Sequence, residues 1–319
     1  MMQRLVFALS LSDLVSSLSF LLMPWLIPSE IGLPGAVGNH ASCAAIGFGL
    51  MTFILVGCFY NAYLSVYFFL VVRRRWRDAD FERSPAVEIV SHIFAVVVPM
   101  SIGIAGMATQ SINPSPLLNS ICTYASYPWD CNENPDIECT RSSREVVTAL
   151  SAAGGSLIVF FTILGFCCTF LVALTIRTTI RRNAVHRFEG DRDEAGEARI
   201  RNVTIQAILY SLAYLNTFFW PHLLMLLSHQ FVNSGAEIQE KKTQAGYYAF
   251  QVLSCIFYPL QGFLNFFIYT RLKVDRLRKQ DPDRSLFWIY RQIVMRVDGS
   301  LDSTNRDRRT TNESHTTSK

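Results

Sequence analysis

Six stretches of mostly apolar residues, at about 5–27, 43–72, 87–109, 150–176, 203–228 and 247–270, constrain this chain more than any motif it carries. A bilayer core about 30 Å thick takes about 20 such residues to cross as a helix, and each stretch reaches that length. Backbone amides cannot stay unpaired in hydrocarbon, so the stretches must be helices or the strands of a closed barrel. A barrel would alternate apolar and polar residues over segments of about ten, a pattern absent here. The expected fold is therefore an all-α integral membrane protein with six transmembrane helices. The first stretch is too long for a signal-peptide core, contains Asp13 and lacks a small-residue cleavage motif, so it reads as a true span. Composition agrees. Half of the residues are hydrophobic and 17% are charged, against about 25% charged in soluble domains, and mean hydropathy is +0.24.

Basic residues set the topology. Arg73, Arg74, Arg75, Arg77 and Arg83 follow the second stretch; Arg177, Arg181, Arg182 and Arg187 follow the fourth; Arg271, Lys273, Arg276, Arg278 and Lys279 follow the sixth. The alternate loops hold only Arg141, Arg144, Lys241 and Lys242. The basic side is expected to be cytoplasmic, with both ends of the chain inside. Membrane-flanking charge at a net +4 does not form the concentrated basic surface that nucleic acid requires, so no nucleic-acid partner is expected. Of eight cysteines, Cys58, Cys167, Cys168 and Cys255 lie within spans, while Cys43, Cys122, Cys131 and Cys139 fall on the expected outer side. An oxidising exterior suits disulfides there; four cysteines allow three pairings. Residues 1–276 are expected to form the bundle. Within 277–298, Leu286, Ile289, Tyr290, Ile293, Val294 and Val297 recur at helical spacing, which fits an amphipathic helix on the membrane surface. Residues 299–319, rich in Ser, Thr, Arg and Asp, are expected to be a disordered tail, its hydroxyls either phosphorylation sites or simple solubilisers.

Charges in lipid are functional suspects. Asp13 sits about 12 Å from the basic edge of its helix, Ser65 at a similar depth, Asn61 one turn from Ser65 and Asn265 slightly shallower. Two readings follow: a polar cluster holding water or a sodium ion at Asp13, or a neutral Asp13 bonded to one neighbour. Prolines at 24, 99, 221 and 259 should bend their helices. Trp220 beside Pro221 places a bulky aromatic group at such a bend, either as a switch with two arrangements or as a static kink. The arginines from Arg73 to Arg75 are stop-transfer charges, one of which could instead face a cytosolic partner. Glu88 and His92 make an i, i+4 pair that reads as a polar helix end.

Leu9-Ser10-Leu11-Ser12-Asp13-Leu14 resembles the LAxxD motif in the second helix of rhodopsin-like receptors. Asn265-Phe266-Phe267-Ile268-Tyr269 resembles the NPxxY motif of the seventh, with Phe266 in place of proline. The run from Tyr258 to Asn265 is closer to cyclic-AMP-receptor-like and fungal glucose-sensing receptors. Trp220-Pro221 is similar to the sixth-helix CWxP toggle. Cys43, facing a cysteine-bearing loop, is similar to the receptor disulfide. The resemblance, over about residues 5–269, implies that the six spans correspond to helices two through seven of a heptahelical G-protein-coupled receptor lacking its first helix. It further implies a Cys43–Cys122 disulfide, leaving Cys131 with Cys139. Its switch network would comprise Asp13, Asn61, Ser65, Trp220, Pro221, Asn265 and Tyr269. Val72-Arg73-Arg74 stands where a DRY triplet would be, making Arg73 the G-protein-facing arginine, and the fourth helix lacks its usual tryptophan.

The expected function is transmission of an unknown extracellular ligand's signal, at the plasma membrane, to a heterotrimeric G protein. The alternatives are a six-span transporter or channel, or a non-signalling receptor fragment. No span carries spaced arginines, no internal repeat is visible, and only Asp13 is deep, all of which weigh against transport. Tyr247 to Thr270 holds no lysine for a retinal Schiff base. Neither enzymatic activity nor a cofactor is expected.

Overall fold

A computed structural model describes residues 2–74, 76, 85–115, 121–128, 131, 136–185, 202, 205–210, 212–217, 220, 249, 252–253, 256–257 and 259–295. It is mostly helical, and four helices are long and apolar enough to cross a membrane. These are α1 (Met2–Leu26), α2 (His40–Arg73), α3 (Pro85–Ala108) and α4 (Arg144–Val185), which match the first four apolar stretches. Much of the fifth and sixth stretches lies outside the described residues. From the fifth come helical turns at 205–210 and 212–217 together with Trp220; from the sixth comes the start of α5 (Leu260–Gln280). Two helices outrun their apolar stretches, α4 continuing to Val185 and α5 to Gln280. Hydropathy marks where a helix leaves hydrocarbon, whereas its hydrogen bonds continue in water until a breaker intervenes. For α5 the stop comes just before Pro282, whose ring disfavours helical backbone at the preceding residue.

The chain divides into two compact units, Met1–Phe266 and Phe267–Lys319. In the first, large apolar side chains face outward in numbers that water would not select. Along α1 the buried face carries Ser12, Asp13, Ser16 and Ser19, while Phe7, Leu11, Leu14, Leu18, Leu21 and Trp25 are exposed. On α3 the exposed residues include Val90, Ile93 and Val97, and on α4 Phe160, Ile163 and Phe170. Continuous apolar belts on the outer faces of long helices are stable only when hydrocarbon is the solvent. The chain is an integral membrane protein.

The helix at the centre of this unit is α2, packed against α1, α3 and α4. It begins with a capping box in which Asn39 Oδ1 accepts from Ser42 N at 2.9 Å and Ser42 Oγ accepts from Asn39 N at 2.8 Å. Ser42 Oγ also donates to Leu26 O at 2.8 Å, which ties the start of α2 to the end of α1. A two-stranded antiparallel hairpin, β1 (Ile112–Pro114) and β2 (Cys122–Tyr124), lies over this end. Its approach depends on missing side chains. A Cβ on Gly47 would stand 2.5 Å from Ile112 Cγ2, and one on Gly106 2.7 Å from the Tyr124 ring. Met23, Ile27, Cys43, Ala44, Leu50, Ile112 and Cys122 make the core beneath it.

In the second unit, α6 (Leu286–Met295) follows α5 after a turn at 281–284. Ser285 caps it, Oγ accepting from Trp288 N at 3.3 Å. Ile289 is fully buried, Tyr290 meets Phe267 edge-on at 5.2 Å, and Phe287 is 79% exposed. The expected amphipathic helix is thus a separate helix beginning at Leu286, and residues 277–280 belong to α5 instead. The tail 299–319 lies outside the described residues.

Candidate functional site

Asp13 and Asn265 meet inside the bundle. Asn265 Nδ2 donates to Asp13 Oδ2 at 2.9 Å, with Asp13 7% and Asn265 2% exposed. Two glycines make room for the pair. A Cβ on Gly262 of α5 would stand 3.2 Å from Asp13 Cβ, and one on Gly57 of α2 3.7 Å from Asp13 Oδ1 and 3.5 Å from Ser12 Oγ. One carboxyl group therefore links α1 to α5 and borders α2. Ser12 and Ser16 give their protons to Leu9 O and Asp13 O, so around Asp13 the serines are oriented by their own helix. For a cation, Asp13 Oδ1 and Ser12 Oγ offer oxygens facing the same glycine. No group of three His, Cys, Asp or Glu that could hold a metal ion occurs among the described residues.

Asn61 and Ser65 turn to their own helix, Asn61 Nδ2 donating to Gly57 O and Ser65 Oγ to Asn61 O, both at 3.0 Å. They line a cavity of about 290 Å³ between α2, α4 and the turns at 208–215. Gly57 is thus shared: Asp13 borders it and Asn61 bonds its carbonyl. Trp220 stacks on Phe257 with ring centroids 5.8 Å apart; Pro221 lies outside the described residues. Tyr269, in the second unit, has Lys273 Nζ 5.7 Å from its ring centroid. Arg73 is exposed, and its Nη1 donates to Thr175 Oγ1 at 3.2 Å, joining the end of α2 to α4 ten residues before α4 stops.

Both disulfides are present, Cys43–Cys122 and Cys131–Cys139. The first pins the hairpin to the start of α2 and closes a separation of 79 residues. Around the hairpin lies a polar network that no motif or spacing in the chain announces. The fully buried Asn113 donates to Gln110 O at 2.8 Å and Ala125 O at 2.7 Å, and its Oδ1 accepts from Arg141 Nε at 2.6 Å. His40 Nε2 lies 2.5 Å from Glu30 Oε1, and the His40 ring meets Tyr127 edge-on at 4.5 Å. Burial pushes the Tyr124 hydroxyl up to about 12, and burial together with Glu30 raises that of Tyr127. Both stay neutral.

At the opposite end, Glu88 and His92 are more than a polar helix end. Arg4 Nη1 lies 3.3 Å from Glu88 Oε1, His92 Nε2 lies 4.0 Å from the same oxygen, and His92 Nδ1 is 3.0 Å from Tyr60 Oη. This chain of contacts ties α1 to α3 and α3 to α2. Comparison with known protein families and with curated proteins finds no match for the chain.

Proposed function

We propose that the chain is a receptor that carries an extracellular ligand's signal to a heterotrimeric G protein by rearranging its helices. In this reading 203–228 and 247–270 supply a fifth and a sixth span. The disulfide end faces outward from the plasma membrane, and the arginine-bearing ends and the C-terminus lie in the cytosol. The observation that carries the reading is the Asp13–Asn265 hydrogen bond. A buried acid holding the first described helix to α5, beside the glycine where both border the central helix, is a contact that two helix arrangements can make or break. Support also comes from the hairpin bonded to the start of α2 and from Arg73 held by Thr175 at its other end. A ligand pressing on the hairpin and a G protein competing for Arg73 would act on opposite ends of one rod.

The test is guanine-nucleotide exchange by a panel of heterotrimeric G proteins, measured in membranes from cells expressing the chain. Basal exchange should rise for at least one G protein, rise further with Thr175→Ala, and fall with Asp13→Leu at equal surface expression. A surface-expressed, disulfide-bonded chain that stimulates no G protein would end the proposal.

A further inference from the structure

We infer that the cavity between α2, α4 and the turns at 208–215 is a binding site for a neutral, hydroxyl-bearing lipid of sterol type, drawn from the surrounding bilayer. The inference needs only the membrane-embedded fold and is independent of any signalling role. Ser65 gives its hydroxyl hydrogen to Asn61 O, and Asn61 commits its amide nitrogen to Gly57 O. What each can still offer is an acceptor: the Ser65 oxygen lone pair and Asn61 Oδ1. The Tyr214 hydroxyl is engaged with Thr162 Oγ1 at 2.7 Å. An occupant that supplies a hydrogen-bond donor is matched to these groups, and one that brings only acceptors is not.

Shape and surroundings narrow the class. The remaining wall is apolar and largely aromatic, including Phe161, Phe166 and Phe170. Phe166 and Phe170 are 42% and 64% exposed, and Leu212 on the opposite wall is 55% exposed, so hydrocarbon reaches the opening. A charged headgroup would meet no opposite charge on the lining, which carries none. From Phe161 to Ala173 the α4 wall runs twelve residues, about 18 Å, room for a rigid fused-ring body rather than a small solute. Small residues at Ala62 and Gly165 let α4 pass close to α2 at the cavity wall, a Cβ on Gly165 standing 3.6 Å from Ser65 Oγ and 4.0 Å from Ala62 Cα, so a large side chain at 165 would intrude on the site. A flat alcohol can rest its rings on the aromatic wall while its hydroxyl donates to Ser65 or Asn61.

The full chain is reconstituted in phosphatidylcholine vesicles containing a diazirine derivative of cholesterol, irradiated, and the labelled peptides are mapped. Label should fall on the α2 segment around 61–65 and on α4 between 161 and 173. Cholesterol should compete about tenfold better than its 3-methyl ether, the equivalent of one hydrogen bond. Gly165→Leu, which fills the site, should abolish the label. Ser65→Ala and Asn61→Leu, which keep the space and remove acceptors, should erase the preference for the alcohol over the ether; they carry the test if Gly165→Leu fails to form the Cys43–Cys122 disulfide. Equal competition by alcohol and ether in the unmodified chain would overturn the inference. So would labelling confined to other helices, or displacement of the probe by phosphatidylcholine acyl chains alone.

Discussion

At the scale of single residues, the interior is held by a few polar groups whose partners are fixed by backbone approach. Asn265→Ala removes the amide that donates to Asp13 Oδ2 and strands a carboxyl that is 7% exposed. The expected loss is about 1–3 kcal/mol, seen as a lower Tm for the detergent-solubilised chain, with Asn265→Asp no better. Gly47→Val is a purely steric counterpart. Its Cβ alone would stand 2.5 Å from Ile112 and 2.8 Å from Cys122 O, so the hairpin must shift. Disulfide formation between Cys43 and Cys122, read by thiol alkylation, should fall sharply. Asn113→Leu should produce a milder version of the same defect. It leaves Arg141 Nε and the carbonyls of Gln110 and Ala125 without the amide that organises them.

At the scale of elements, the Cys43–Cys122 bond is the strongest local constraint. In a chain-entropy picture, closing 79 residues contributes at most about 4–5 kcal/mol. Cys43→Ser should therefore cost more stability than Cys131→Ser, whose loop closes over only 8 residues; thermal unfolding of the two variants, compared directly, checks this ordering. Much of this scale was legible in sequence. Long apolar stretches fixed α1 to α4 because lipid imposes helix and length together, and the pairing of cysteines followed from a resemblance carried by Cys43 and its facing loop. The hairpin was not legible. Three-residue strands with Pro114 on one of them carry no periodic signal, and their position depends on absent side chains at Gly47 and Gly106. Nor was the contact chain from Arg4 through Glu88 and His92 to Tyr60, because it depends on how three helices are offset along the membrane normal, a quantity hydropathy does not encode. Depth groups Asn61 and Ser65 with the Asp13–Asn265 pair, yet the first two bond their own helix and line the cavity instead, a choice of helix face that depth does not encode.

At the scale of the whole molecule, the one-sided placement of the basic residues makes a topological prediction. An epitope inserted beside Glu138 should be detected on intact cells, and one at the C-terminus only after permeabilisation; the opposite pattern would refute the assignment of sides. The offset of the helices has a mechanical consequence. His92 lies one turn from Glu88, so the Arg4–Glu88 contact is level with about Leu64 on α2, which then continues for nine residues, about 14 Å, to Arg73. Beyond that level α2 keeps Phe68 and Val72 buried, with Phe68 stacked on Tyr210 at 6.1 Å and Arg73 bonded to Thr175 of α4. A tilt imposed at the clamped hairpin end therefore has to slide an aromatic stack as well as exchange a hydrogen bond before the arginine can leave its seat.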